Sequence, residues 1–120
     1  MIRLRPKQKT SPTDAQLREG NRLEENASVE NDMFVWRQGG SEVLLYWEGD
    51  GWSVRFAASG RLSGPRHVLY EARHKEAKHA AWDVMARVVR ASSDEEQGLR
   101  VARSAAKWMR ASGKIDQFDD

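Results

Sequence analysis

Between Met33 and Tyr70, short runs rich in aromatic and β-branched residues are separated by glycines, and after about Arg73 the apolar residues recur every three or four positions. This switch of period restricts the fold more than any other feature. A period of two lines one side of a strand and a period of 3.6 lines one side of a helix, so a sheet is followed by helices that cover it. Met33-Phe34-Val35-Trp36-Arg37 ends at Gly39-Gly40, Glu42 to Trp47 ends at Gly49-Asp50-Gly51, and Trp52 to Ala57 ends at Ser59-Gly60. In the third run Trp52, Val54 and Phe56 fall on one face, expected to be the core face, and Ser53, Arg55 and Ala57 on the other. After the loop from Arg61 to Arg66, His67-Val68-Leu69-Tyr70 reads as a short edge strand.

From about Arg73 onward, Ala77, Ala81, Val84, Met85, Val88 and Val89 share one helical face, which predicts a helix packed on the sheet. Ser92 or Ser93 followed by Asp94, Glu95 and Glu96 is a start signal for a second helix, with acids at the positive end of its dipole. That helix is predicted to run to about Ala111 and stop at Gly113, with Leu99, Ala102, Ala105, Ala106 and Met109 as its apolar positions and Val101 and Trp108 to one side. The expected fold is α+β, an antiparallel meander of three or four strands backed by two C-terminal helices, over residues 31–112.

Residues 1–30 contain only Ile2, Leu4, Leu17, Leu23 and Val29 as large apolar residues, too few to repay the entropy of ordering. They predict a mostly disordered, flexible arm, within which Thr13 to Asn26 has the caps of a short helix and Gly20-Asn21 weakens it. Residues 113–120 predict an acidic flexible tail. The arm is split in charge: Arg3, Arg5, Lys7 and Lys9 stand without an acid in residues 1–12, and residues 13–32 are acidic, so the whole chain reaches a net charge of only +2.

The sequence has no cysteine, which excludes disulfides, a thiol nucleophile and thiolate metal ligands and suits the cytoplasm. No apolar run approaches the roughly 20 residues that span a bilayer, so no membrane association is expected. Hydrolase, phosphate-loop, calcium-loop and zinc-protease motifs are absent. His74 and His79 are five residues apart, whereas a metal-binding pair on one helical face is four apart, so neither a metal site nor a cofactor is expected. The chain reads as a binding protein and not as an enzyme.

Candidate binding residues cluster between Arg61 and His79, where Arg61, Arg66, Arg73, Lys75 and Lys78 join His67, His74 and His79 against only Glu71 and Glu76. Lysines at the start of a helix add charge to its exposed amides, an arrangement suited to phosphate oxygens. His74-Lys75-Glu76-Ala77-Lys78-His79-Ala80-Ala81 resembles the lysine-rich start of the last helix of double-stranded-RNA-binding domains, although that family's Gly-Pro-x-His loop is absent. The resemblance implies phosphate contacts by His74, Lys75 and Lys78. The order Gly51 to Phe56, then Lys75-Glu76-Ala77 and Trp82, is also similar to integrase arm-type DNA-binding domains, which implies a sheet laid in the major groove with Arg55, Arg61 and Arg66 as contacts.

Five tryptophans, Trp36, Trp47, Trp52, Trp82 and Trp108, are many for one small core, so an exposed aromatic residue or two is expected on the outer face of the sheet. Two functions follow from these features. One is a nucleic-acid-binding module using Arg55, Arg61, Arg66, Arg73, His74, Lys75 and Lys78 on phosphates. The other is a protein-binding adaptor or inhibitor, of the kind phages and mobile elements encode, acting through an aromatic sheet face or the second helix. A continuous basic stripe favours the first and an uncovered apolar patch the second. The sequence leaves the partner and the oligomeric state open.

Overall fold

The computed structural model describes residues 26–60 and 64–114. Five antiparallel strands, β1 (Ala27–Glu30), β2 (Met33–Gln38), β3 (Ser41–Trp47), β4 (Trp52–Ala58) and β5 (His67–His74), are followed by helices α1 (Ala77–Ser92) and α2 (Glu95–Ser112). The strands lie in the sheet in chain order, a simple meander. The fold is the α+β arrangement the two periods imply, with one strand more than the sequence suggests. The possible helix from Thr13 to Asn26 and the flexibility of the arm and of the tail after Lys114 fall outside the described residues.

The added strand is β1, in a stretch assigned to the arm because Ala-Ser-Val-Glu has little apolar surface. Its pairing is set by the turn: Asn31 and Asp32 both have positive φ, 51° and 64°, the geometry that joins two twisted strands through a two-residue hairpin. Ala27 then falls opposite Trp36 and Val29 opposite Phe34. β5 is twice the length of the run visible in sequence, because Glu71 to His74 continue the ladder on β4, with Trp52 opposite His74. Tertiary pairing overrides local helical preference there. The first helix therefore starts at Ala77 and not at Arg73.

One face of the sheet carries the core. Phe34, Trp36, Val43, Leu45, Trp52 and Val54 are buried against Ala77, Ala80, Ala81, Val84 and Val88 of α1 and Val101, Ala105 and Met109 of α2, with Phe56 and Tyr70 packed at its margin. The expected packing of the Trp52, Val54 and Phe56 face under α1 is thus present. A tight turn joins the helices. Ser93 adopts the left-handed conformation, φ 59°, and closes α1, and the Asp94 side chain accepts from the Gln97 amide to open α2. Gln97, buried under that cap, accepts a hydrogen bond from Trp36 Nε1 at 3.1 Å and ties α2 to β2.

Candidate functional site

The described basic residues nominated from the sequence do not all come together on one surface. Arg55 and Arg73 lie on the face of the sheet opposite the helices, in register with Ser53 and Glu71, and both are held by acids. Arg55 pairs with Glu71 at 2.9 Å and stacks 5.5 Å from the Tyr46 ring centre. Arg73 reaches Glu48 at 2.7 Å and Asp50 at 3.1 Å. A hydrogen bond from Ser53 and the Arg73 guanidinium hold the Glu48 carboxyl below its usual range. Arg66 precedes β5 and Lys75 follows it, so the whole eight-residue strand, on the order of 25 Å, separates them. Arg61 lies outside the described residues.

His74 closes β5 instead of opening a helix, and its side chain turns to the helix side. Its Nε2 lies 2.8 Å from Asp83 Oδ2. Asp83 is a buried carboxylate that the sequence reading did not single out, and it gathers three neighbours. The Tyr70 hydroxyl donates to it, at 2.8 and 3.0 Å from its two oxygens, and Arg87 Nε lies 3.4 Å away. Arg87 also sits over the Tyr70 ring, 4.1 Å from its centre. Burial, followed by the hydrogen bond to Asp83, pushes the Tyr70 phenol above its ordinary range. The cluster pins β5 to α1, and Lys75, Lys78 and His79 stand exposed beside it. Among the described residues no group of three or more His, Asp or Glu is placed to hold a metal ion. No described helix is long and apolar enough to cross a membrane.

An uncovered apolar groove lies on the solvent side of the helical layer. Trp82, Met85, Ala86, Val89 and Leu99 line a groove of about 820 Å³ between α1 and α2, with Arg90, Glu95 and Glu96 on its rim. Trp82 is 63% exposed and Leu99 42%. The exposed aromatic residue expected on the sheet is thus on α1. Leu99, expected in the core stripe of α2, points outward because Gly98, Val101, Ala102 and Ala105 form the buried stripe.

Helix geometry explains both placements. Residues 77, 81, 84 and 88 face the sheet, while 78, 82, 86 and 89 fall on the opposite side of the same helix. Met85 and Val89, expected on the sheet-facing side with Val84 and Val88, instead line the groove with Trp82 and Ala86. The two helices pack closely where they cross at Gly98: a Cβ there would stand 2.3 Å from Val89 Cγ2 and 3.2 Å from the Met85 carbonyl oxygen.

Comparison with known proteins finds no matching family, and neither a curated protein nor a solved structure matches the chain.

Proposed function

We propose that this chain is a protein-binding module, without catalysis of its own, whose groove between α1 and α2 takes an amphipathic helix of a partner protein. The observation that carries the reading is Trp82, 63% exposed in a groove whose other apolar lining is Met85, Ala86, Val89 and Leu99. Uncovered apolar area costs roughly 25 cal/mol per Å² against a buried state, and an indole beside an apolar hollow rimmed by charge has the make-up of an interface hot spot. Two helices side by side offer ridges between which a third helix seats, through residues at positions i, i+4 and i+7.

The charges at the two ends of α1 define the partner further. Lys78 and His79 stand on the exposed side at one end of α1, and Glu95 and Glu96 stand beyond its other end. A fitting helix therefore has an apolar stripe, acid at one end and base at the other. Phosphate binding by Arg55 or Arg73 has to compete with Glu71, Glu48 and Asp50, which already hold those guanidinium groups. A cytoplasmic location belongs to the same proposal, since a chain without cysteine draws nothing from an oxidising compartment.

The test is a photo-activated cross-linking residue placed at Ala86 and, as control, at Gln38, an exposed residue of β2. Irradiation of cells that make the protein is expected to give discrete protein adducts from position 86, abolished by Leu99→Glu, and none from position 38. Adducts of nucleic acid, or no adduct from position 86, refute the reading.

A further inference from the structure

We infer that the helix this groove takes is α1 of a second copy of the same chain, packed antiparallel about a two-fold axis at Ala86. The inference rests on the protein-binding reading above and names its partner. A two-fold interface must be self-complementary, each residue facing a counterpart that faces it in return. The exposed side of α1 meets that requirement residue by residue.

Ala86 lies near the middle of the sixteen-residue helix and is exposed, and as the smallest side chain of the stripe it lets two helices approach closely. Four residues before it stands Trp82 and four residues after it Arg90, on the same side of the helix. In an antiparallel pair centred on Ala86, each Trp82 indole therefore meets the guanidinium of the second copy's Arg90. A cation over an indole face within about 6 Å is attractive. Arg90 and Trp82 line one groove, so the same indole covers the apolar hollow formed by Val89 and Leu99 in the other copy.

The charges agree with the same axis. One turn before Trp82 stands Lys78, whose nearest acid, Glu76, is 3.9 Å away, the loose limit of an ion pair. The antiparallel register carries Lys78 to the opposite copy's α1–α2 junction, where Asp94, Glu95 and Glu96 begin α2. Glu95 and Glu96 have no ion pair among the described residues. Basic start meets acidic end, twice per dimer. A parallel pairing would set Lys78 against Lys78 and Glu95 against Glu95, and like charges suppress it. This gives the lysines of the basic segment a protein carboxylate for a counter-ion where the sequence suggests a phosphate.

The deciding experiment is sedimentation equilibrium on the full chain, over a concentration series, for the wild type, Ala86→Glu, Lys78→Glu, Glu95→Lys and the Lys78→Glu/Glu95→Lys double variant, with far-ultraviolet circular dichroism as the check on folding. The wild type is expected at twice its 13.7 kDa chain mass and Ala86→Glu at the single mass. Each charge reversal is expected to weaken the dimer about tenfold, and the double variant, which exchanges the charges, to recover most of that loss. A wild type that stays monomeric to about 1 mM, a dimer indifferent to Ala86→Glu, or a double variant no tighter than the weaker single one overturns the inference. Cross-linking from position 86 separates the two proposals. Adducts of twice the chain mass support both; adducts only of another mass, with a monomeric wild type, sink self-association and leave the groove as a docking site. Absence of adducts removes both.

Discussion

Gly98 of α2 stands against Val89 of α1 so closely that a single added carbon would overlap the valine: its Cβ would lie 2.3 Å from Val89 Cγ2. Val89 is β-branched and held to one rotamer in a helix, and the Met85 carbonyl oxygen closes the other side at 3.2 Å. Neither neighbour yields easily. Gly98→Ala is therefore expected to push the helices apart at a cost of about 1–3 kcal/mol, against which the better helix propensity of alanine returns about 1 kcal/mol. The net effect is a thermal midpoint lower by several degrees. A midpoint that rises would mean that α1 and α2 repack freely, and calorimetry of the one variant measures it.

The Tyr70–Asp83 hydrogen bond makes stability depend on alkali. The phenol of Tyr70 ionises later in the folded chain than in the unfolded one, because it is partly buried and donates to a carboxylate. A group with a raised folded value contributes fully below its unfolded value, and the contribution is lost as pH rises through the tyrosine range toward the folded value. Denaturant midpoints measured from pH 8 to pH 11 are expected to fall for the wild type and to fall less for Tyr70→Phe. Parallel slopes for the two proteins would show that Tyr70 does not contribute.

On the outer sheet face Arg37 bridges two acids. Its Nη atoms reach both oxygens of Glu30 at 2.8 and 3.0 Å, and its Nε reaches Glu42 at 2.6 Å. Hydrogen bonds from Arg37, then from Ser28, hold the Glu30 carboxyl below its usual range. A depressed acid contributes stability above its unfolded value and loses it as pH falls through the folded one. The groups are substantially exposed, so solvent screening limits Arg37→Gln to a loss of under about 1 kcal/mol at neutral pH. That loss is expected to shrink as pH falls below the carboxylate range, where wild type and variant converge. A difference that persists undiminished at pH 2 would assign it to packing of the arginine stem.

How much of this was legible in the sequence depends on where the information sits. β2, β3 and β4 follow from alternation and glycine turns, and the Trp52, Val54 and Phe56 face follows from a period of two. β1 was not legible because its four residues bury little, and it is held by its register on Trp36 and Phe34 and by the turn at Asn31-Asp32. His74 was misplaced onto a helix because a local pattern of lysine, glutamate and alanine says nothing about a ladder with Trp52. The surroundings of the basic constellation are not legible in sequence either, since a tally of charge does not see that Glu71 pairs with Arg55 and that Glu48 and Asp50 pair with Arg73. The groove is not legible for a related reason: three- and four-residue spacing alone puts Met85 and Val89 on the same face as Val84 and Val88, whereas in the structure they turn toward α2 and line the groove with Trp82 and Ala86.

Trp82 and Trp52 are chemically alike and placed oppositely, and the contrast tests the assignment of core and surface at once. Trp52 is fully buried, with Trp47 and Trp108 packed edge-on at ring distances of 5.1 and 5.7 Å. Replacing it with alanine removes those contacts and leaves a cavity, at a cost on the order of 3–5 kcal/mol, enough in a domain this small to leave little folded protein. Trp82 is 63% exposed, and Trp82→Ser is expected to change the stability of the isolated chain by no more than about 0.5 kcal/mol. The measurement is urea unfolding at a concentration low enough to keep the chain monomeric, so that lost association does not register as lost stability. Acrylamide should quench the fluorescence of the wild type more strongly than that of Trp82→Ser, because the substitution removes the exposed indole. If Trp82→Ser destabilises the monomer by several kcal/mol, Trp82 belongs to the core and the groove loses its anchor.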